Sequence, residues 1–242
     1  MTENLRALVT GGSGALGSAI SEALAADGME VLIQANKGLS VAQALAEQIQ
    51  ASGGSAKALQ FDVTDGDATR LVLEPIALEK AIQIIVNCAG IHDDATFAGM
   101  SPSKWQSVID VSLGGFFNVT QPLMLPMLRT RYGRIINISS VAAIAGNRGQ
   151  VNYAAAKAAL HGATKSLAQE VARRGVTVNV VAPGIIDSPM IEGIFDAPSI
   201  ARMVPMKRAG TAPEVAALVA FLAGKNASYI TGQIISINGD MV

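Results

Sequence analysis

The sequence has little cysteine, few charged groups and no long apolar run, and each shortage excludes a class of protein. A single cysteine, Cys88, among 242 residues leaves no partner for an internal disulfide and fits a reducing compartment. Charged residues make up 15% of the chain and leave a net charge of −1, so we predict no binding to nucleic acid or to anionic membranes. No uninterrupted apolar run approaches the roughly 18 residues of a membrane span. We therefore predict a cytoplasmic protein without a transmembrane helix.

Potential metal ligands are equally sparse, because the chain has only two histidines, His92 and His161, besides its one cysteine. These residues do not cluster with carboxylates at ligand spacing, so we predict no catalytic metal. Apolar residues, in contrast, make up half of the chain. Such a composition predicts a large core and a surface that is partly buried against sister subunits.

Short apolar runs alternate with longer helical stretches, which is the order expected of βαβ units in a parallel sheet. The predicted strands are Leu5–Thr10, Glu30–Ile33, Ala56–Phe61, Ile82–Asn87, Gly133–Ser139, Val176–Ala182 and Gln233–Ile237. The predicted helices are 15–27, 39–52, 65–79, 102–129, 153–173 and 212–224. We predict one Rossmann-type doubly wound α/β domain over residues 1–242, with a seven-stranded parallel sheet between two helical layers. Residues 188–208 are rich in proline and methionine and predict a mobile flap over the substrate.

A glycine-rich turn, Thr10–Gly17, joins the first predicted strand to the first helix. Glycines at such a junction let the backbone approach a pyrophosphate, and the helix N-terminus offers free N–H groups and a positive dipole end. The turn therefore predicts a dinucleotide site. Its candidate binding residues are Gly11, Ser13, Gly14, Leu16 and Gly17.

The end of the second strand predicts which dinucleotide is bound. Enzymes that bind NAD usually carry an acidic residue there for the ribose 2′-hydroxyl. This chain reads Gln34-Ala35-Asn36-Lys37 and has no acid, while Lys37 can pair with a 2′-phosphate. We therefore predict NADPH rather than NADH. The alternative is that Lys37 is a solvated loop residue.

A tyrosine and a lysine four residues apart, Tyr153 and Lys157, predict the proton chemistry. On a helix these positions share a face, so the phenol and the ammonium lie side by side. We expect the cation to lower the pKa of Tyr153 and make it a general acid and base. Ser140 follows a predicted strand at the carboxyl edge of the sheet, where its hydroxyl can bond a substrate carbonyl; Ser139 is the alternative.

These motifs together resemble the short-chain dehydrogenase/reductase family over essentially the whole chain, and most of all its 3-oxoacyl-[acyl-carrier-protein] reductases. The matching segments are Thr10–Gly17, Asp62-Val63, Asn87–Gly90, Ile138–Ser140, Tyr153 with Lys157, Pro183-Gly184, 146–157 and 227–233. The resemblance implies reduction of a 3-oxoacyl thioester by NADPH. It implies that Ser140 positions the ketone, that Tyr153 donates the proton, and that Lys157 holds the nicotinamide ribose. It further implies cofactor contacts at Asp62, Val63, Asn87, Ala89, Gly90, Pro183, Gly184, Ile186 and Ser188.

The chain departs from the family pattern at two positions. Ala15 stands where the family has its second glycine, and Ser112 stands where the family has a catalytic asparagine. In the family that asparagine kinks a helix and holds a relay water through its main-chain carbonyl. Ser112 keeps the carbonyl and can disturb a helix locally. We therefore count Ser112 among the catalytic residues, with a weakened relay, the alternative being that it is neutral.

The resemblance also implies partners. Arg131 and Arg174 occupy places where the similar reductases grip acyl carrier protein, although arginines at helix ends also favour the helix dipole. It implies a homotetramer or homodimer in which helices 102–129 and 153–173 face a sister subunit. Two other functions stay open: a relative that acts on a small alcohol, sugar or polyol, and a weakly catalytic nucleotide-binding partner protein. Apolar flap residues either line an acyl pocket or pack the flap; they are Met190, Ile191, Ile194, Phe195, Met203 and Met206.

Overall fold

Seven parallel strands form a single sheet in the order β3-β2-β1-β4-β5-β6-β7. A computed structural model describes residues 5–188 and 196–242 of the chain. The strands are β1 (Arg6–Val9), β2 (Glu30–Ala35), β3 (Ser55–Gln60), β4 (Ile84–Asn87), β5 (Gly133–Ile138), β6 (Val176–Pro183) and β7 (Ile234–Ile237). The predicted Rossmann-type doubly wound fold is confirmed.

Helices cover both faces of this sheet. Within the described ranges they are α1 (Ala15–Ala26), α2 (Leu39–Ala51), α3 (Gly66–Glu79), α4 (Pro102–Ile109), α5 (Gly115–Thr130), α6 (Ala142–Ala145), α7 (Val151–Val171), α8 (Ala197–Met203) and α9 (Ala212–Ala223). The sequence patterns did not predict α6 and α8, because one or two turns are too short to show a helical period. Helix α8 gives part of the predicted flap a regular structure; residues 189–195 of the flap lie outside the described residues.

Two apolar cores lie on opposite faces of the sheet, because successive strand residues point to opposite sides. In β1, Ala7 and Val9 pack against α1, α2 and α9, whereas Leu8 between them packs against α3, α5 and α7. The same alternation recurs in β2, where Leu32 joins the second core and its neighbours join the first. Apolar runs that looked continuous in the sequence are therefore strands buried on both faces.

The predicted helix 102–129 is interrupted by a π-helical turn, Asp110–Gly114, between α4 and α5. The whole stretch 102–130 is long and apolar enough to cross a membrane, judged by length and composition only. The absence of a transmembrane helix, which we predicted from the lack of uninterrupted apolar runs, is therefore not supported by this test. A core helix of a folded domain passes the same test. Here α5 packs on α3 and α4 packs on α7, so the stretch belongs to one layer of the domain.

The carboxyl ends of the central strands meet at one edge of the sheet. The chain runs outward from β1 through β2 to β3, then returns to β4 on the other side of β1. This reversal leaves a crevice between β1 and β4 at their carboxyl ends, where doubly wound sheets bind ligands. The glycine turn after β1, the segment after β4 and the serines after β5 all open onto it.

Candidate active site

The glycine turn is built so that only hydrogen fits at its closest approaches. Gly11 has φ +64°, in the left-handed region that favours glycine. A Cβ on Gly17 would lie 2.3 Å from the Gly11 carbonyl oxygen. No side chain caps the first turn of α1, so its N–H groups remain free for an anionic ligand. Ala15 is exposed at the start of α1, so its methyl group does not crowd the turn.

Gln34 holds this turn in place, a role that the sequence pattern did not reveal. Its side chain is buried at the end of β2 and bonds in two directions. Oε1 accepts from the Gly11 N–H at 2.9 Å, and Nε2 donates to the Phe61 carbonyl at 2.6 Å. One amide therefore links the glycine turn to β2 and to the end of β3.

A cleft of about 480 Å³ brings the glycine turn and the predicted proton-transfer residues together. Its lining residues are Gly11, Ser13, Gly14, Ala15, Leu16, Gly17, Cys88, Ala89, Gly90, Ile91, Ile138, Ser139, Ser140, Tyr153, Lys157, Pro183, Gly184, Ile186, Ser188 and Ala212. Most of the predicted cofactor residues are among them. Five predicted site residues lie outside this lining: Lys37, Asp62, Val63, Asn87 and Ser112.

Tyr153 and Lys157 lie on the cleft-facing side of α7, as their spacing predicts. Lys157 Nζ is 5.8 Å from the centre of the Tyr153 ring. The lysine is only 3% exposed, and Nζ donates to the Ile138 carbonyl at 2.9 Å. Burial disfavours the charged amine and lowers the pKa of Lys157 to about 8.

The expectation that the Tyr153 pKa is lowered is wrong. Burial raises the pKa of Tyr153, and the Ser140 hydroxyl acts in the opposite direction but does not reverse the shift; Cys88 and Asp94 raise it further. Burial disfavours the charged phenolate more strongly than the Ser140 hydrogen bond favours it. The phenol is therefore neutral at physiological pH, which is the state a proton donor needs.

The two neighbouring serines after β5 have different environments. Ser140 lies in the cleft near Tyr153, and its Oγ accepts from the Ala142 N–H at 3.2 Å at the start of α6. Ser139 is buried, and its hydroxyl bonds the Lys157 carbonyl at 3.0 Å and the His161 ring at 2.8 Å. The Ser139 hydroxyl is therefore engaged with α7, whereas the Ser140 hydroxyl lies beside Tyr153 in the cleft.

Ser112 lies in the π-helical turn, which agrees with the expected local disturbance of the helix. It is 4% exposed, and its Oγ has no hydrogen-bond partner among the described residues. That oxygen is 3.9 Å from where a Cβ on Gly90 would stand, and the same Cβ would be 3.0 Å from Lys157 Nζ. Ser112 therefore does not line the cleft, but it lies near Gly90, which does and which is next to the Lys157 amine.

Asn87 and Val63 direct their side chains into the core rather than toward a ligand. Asn87 Nδ2 donates to Thr120 Oγ1 at 3.1 Å and to Asn137 Oδ1 at 2.9 Å. Val63 is buried in the apolar core that includes Leu73. Cofactor contacts were predicted at Asn87 and Val63. The structure leaves only their main-chain atoms available for such contacts.

Lys37 and Asp62 follow the carboxyl ends of β2 and β3. The Asp62 carboxylate accepts from the Thr64 N–H at 2.9 Å and from Asn36 Nδ2 at 2.8 Å. The Thr64 backbone, and to a smaller extent the Lys37 charge, hold the pKa of Asp62 below its usual value. Lys37 itself is exposed, and Ser13 Oγ lies 2.8 Å from where a Cβ on Gly38 would stand.

Other candidates have ordinary surroundings. Burial raises the pKa of Cys88 to about 11, so its thiol is protonated. His92 lies 3.5 Å from Asp94 in a half-exposed pair. In residues 5–188 and 196–242, no group of three or more histidine, cysteine or acidic side chains is placed to hold a metal ion. Met203 and Met206 are exposed, and Met190, Ile191, Ile194 and Phe195 lie outside the described residues.

Arg131 and Arg174 lie at the opposite edge of the sheet from the cleft. Both are exposed, and Arg174 donates to the Leu128 carbonyl at the end of α5 at 3.3 Å. Strand β5 separates them from Ser140 by about 20 Å. The neighbouring Arg134 is buried instead: it stacks on Tyr132 and bonds the Gly175 and Gly224 carbonyls, so it belongs to the fold.

Comparison with known proteins supplies the family. The family model for short chain dehydrogenase matches residues 6–199. The chain is 45% identical to the 3-oxoacyl-[acyl-carrier-protein] reductase of Escherichia coli strain K12, covering 97% of this chain and 96% of that relative. It is 39% identical to the same reductase of Aggregatibacter actinomycetemcomitans, covering 97% and 98%, and 41% identical to the nodulation protein G of Rhizobium sp. strain N33, covering 98% and 96%. With this match over most of its length and with the dinucleotide turn, serine, tyrosine and lysine in one cleft, the chain belongs to the short-chain dehydrogenase family.

Proposed function

We propose that the protein reduces the 3-oxo group of an acyl thioester, carried by acyl carrier protein, with NADPH. The observation that carries this proposal is the meeting of Ser140, Tyr153 and Lys157 in the cleft that the glycine turn completes. The named reductases that the chain resembles over nearly its whole length support the choice of substrate.

The cleft residues fit a nicotinamide dinucleotide, because the turn at Gly11 and Gly17 leaves no room for a Cβ and its N–H groups are uncapped. The bound cofactor supplies a hydride to the 3-carbon. Ser140 donates a hydrogen bond to the ketone oxygen and orients it. The neutral Tyr153 phenol donates its proton to that oxygen as negative charge develops on it. Lys157 favours the resulting phenolate.

Ser112 belongs to the path by which that phenolate regains its proton. Its hydroxyl is buried, has no hydrogen-bond partner among the described residues, and lies near Gly90, which is also next to the Lys157 amine. A buried polar atom without a protein partner favours an ordered water. The hydroxyl and the carbonyl of the π-helical turn thus offer a relay next to the lysine.

A substrate panel tests the proposed reaction. We expect NADPH oxidation with acetoacetyl thioesters, faster when the thioester is bound to acyl carrier protein than when it is free. Small ketones, sugars and polyols in the same assay distinguish a relative that acts on small alcohols. NADPH binding without turnover of any of them would indicate the nucleotide-binding partner protein and would reject the reductase.

Lys37 supports NADPH over NADH, because it is exposed and precedes Gly38, which lies next to the Ser13 hydroxyl of the glycine turn. We expect Lys37→Ala to raise KM for NADPH about tenfold, since a charge-assisted contact contributes roughly 1.5 kcal/mol. KM for NADH should change less than about twofold. Steady-state kinetics with both cofactors measures this, and Lys57→Ala at the exposed edge of β3 is the control. An equal effect of Lys37→Ala on both cofactors would assign Lys37 to the solvated loop.

The arginines at the opposite edge of the sheet support carrier docking only in an oligomer. Arg131 and Arg174 are too far from the cleft of their own subunit to guide a carrier into it, so a second copy must bring its cleft beside them. Helix α5 presents Phe117 and Leu125 to the outside, 58% and 68% exposed, and burial of such side chains favours association. A homodimer or homotetramer that forms through this face of α5 would place the cleft of one copy beside the arginines of another. The predicted location is the cytoplasm.

We expect the double reversal Arg131→Glu and Arg174→Glu to raise KM for the carrier-bound thioester about tenfold or more, and to spare a free thioester. Each lost attraction to the acidic carrier contributes about 1 kcal/mol, and like-charge repulsion adds to it. KM for both substrates at low and high salt measures the effect, with Lys57→Glu as the control reversal. Equal losses on both substrates would refute carrier docking at these arginines.

A further inference from the structure

Two hydrogen bonds tie the end of β5 to α7 directly behind the cleft. Lys157 Nζ donates to the Ile138 carbonyl at 2.9 Å, and the Ser139 hydroxyl lies 3.0 Å from the Lys157 carbonyl. Ser139 is thus bonded to the main chain of one proposed catalytic residue and adjoins another, Ser140, in sequence. A shift of Ser139 must move the main chain on both sides of it.

His161 on α7 forms a third hydrogen bond, also to the Ser139 hydroxyl. Its Nε2 lies 2.8 Å from Ser139 Oγ. It stands four residues after Lys157, so the two side chains share a face of α7. A serine hydroxyl has one hydrogen to donate, and a carbonyl only accepts. When Ser139 donates to the Lys157 carbonyl, the ring must therefore donate from Nε2 to Ser139.

The His161 ring can donate from Nε2 to Ser139 whether the ring is charged or neutral. Nε2 carries a hydrogen both in the imidazolium and in the neutral Nε2–H tautomer. Burial, and then the charge of Lys165, hold the pKa of His161 below its usual value, so the ring is neutral at physiological pH. The histidine thus holds Ser139 without adding a second positive charge next to the buried Lys157.

We propose that His161 is a positioning residue of the reductase, which acts through the Ser139 hydroxyl on Lys157 and Ser140. Its side chain is not part of the described cleft lining. By filling the acceptor site of Ser139, it fixes the direction of that hydroxyl and the alignment of the β5 end with α7. The inference rests on the proposed reductase function for its kinetic test, and on the ring geometry alone for its spectroscopic test.

The kinetic test compares a variant that loses the hydrogen bond with one that keeps it. We expect His161→Leu to lower kcat about tenfold, because one hydrogen bond to a buried group is lost, while KM for NADPH stays within about twofold. Glutamine carries a donor near the position of Nε2, so His161→Gln should recover most of that loss. In a Ser139→Ala background, His161→Leu should cause no further loss, because the shared contact is already absent.

Nitrogen NMR of the imidazole tests the same contact without turnover. We expect the Nε2–H tautomer for His161 in the wild type and a mixed tautomer in Ser139→Ala, with the other histidine, His92, assigned through His92→Gln. Unchanged tautomers in Ser139→Ala, or a His161→Gln variant as impaired as His161→Leu, would overturn the proposal. Absence of any thioester reduction by the wild type would reject the reductase instead and leave the NMR result to judge the contact. If His161→Leu does not fold, the glutamine variant and the NMR comparison decide.

Discussion

Tyr153→Phe is expected to lower kcat for a 3-oxoacyl thioester by about three orders of magnitude, within the range for loss of a positioned general acid. The phenol is the proposed proton donor and lies beside Ser140 in the cleft, and no carboxyl group or second phenol lines the described part of the cleft wall. Because the ring stays in place, the apolar contacts of Tyr153 persist in phenylalanine. The dissociation constant for NADPH should therefore change by less than about twofold.

Single-turnover kinetics and fluorescence titration with NADPH measure the two quantities separately. Tyr229→Phe is the matched control, because that tyrosine is fully exposed and does not line the cleft. It should leave both quantities unchanged. A Tyr153→Phe enzyme that retains a tenth or more of the wild-type kcat would mean that another group supplies the proton.

Lys157→Met is expected to abolish measurable reduction and, at the same time, to stabilise the fold. Burial places the pKa of Lys157 at about 8 in the folded protein, against an ordinary value of 10.5 in the unfolded chain. This interval corresponds to roughly 3 kcal/mol that the buried ammonium costs the folded state. Removal of the charge should thus raise the melting temperature at pH 7 by several degrees, measured by thermal denaturation.

The same pKa predicts the pH dependence with a definite sign. Below about pH 8 the folded and unfolded states both hold the proton, and the cost to stability is complete. Between about 8 and 10.5 only the unfolded state holds it, so wild-type stability rises with pH while that of Lys157→Met does not. kcat/KM for reduction should fall as pH rises above about 8, because the ammonium is lost. A pH profile that stays flat to pH 10 would contradict the assignment, and Lys157→Arg should move the fall to higher pH.

The burial of Lys157 explains both its cost to stability and its proposed role in catalysis. An exposed lysine would keep its ordinary pKa and would exert little field on the Tyr153 phenol through water. A buried one destabilises the chain but gives a strong field where phenolate develops. The neutral Tyr153 phenol fits the proposed order of events, since negative charge appears on the phenol only after the proton has moved.

The amino-acid sequence by itself determined the architecture and the chemical type of the site. Apolar runs with glycine and proline between them specify strands and helices locally, and the parallel doubly wound sheet follows from their alternation. The glycine turn and the helical spacing of Tyr153 and Lys157 are also short-range patterns. Each can be read without knowledge of distant residues, because backbone sterics and the 3.6-residue helical period act over a few positions.

Only the tertiary structure decided which of the similar residues face the cleft and what their surroundings do to them. Ser139 and Ser140 are adjacent and identical in type, yet the Ser139 hydroxyl bonds to α7 and the Ser140 hydroxyl lies beside Tyr153. The direction of the Tyr153 pKa shift depends on burial, which the assembled fold provides. Gln34 and His161 form hydrogen bonds with Gly11 and Ser139, which are distant from them in the sequence. The physical reason is that hydrogen-bond partners and desolvation are set by residues far apart in the chain, which come together only when the sheet and both helical layers are assembled.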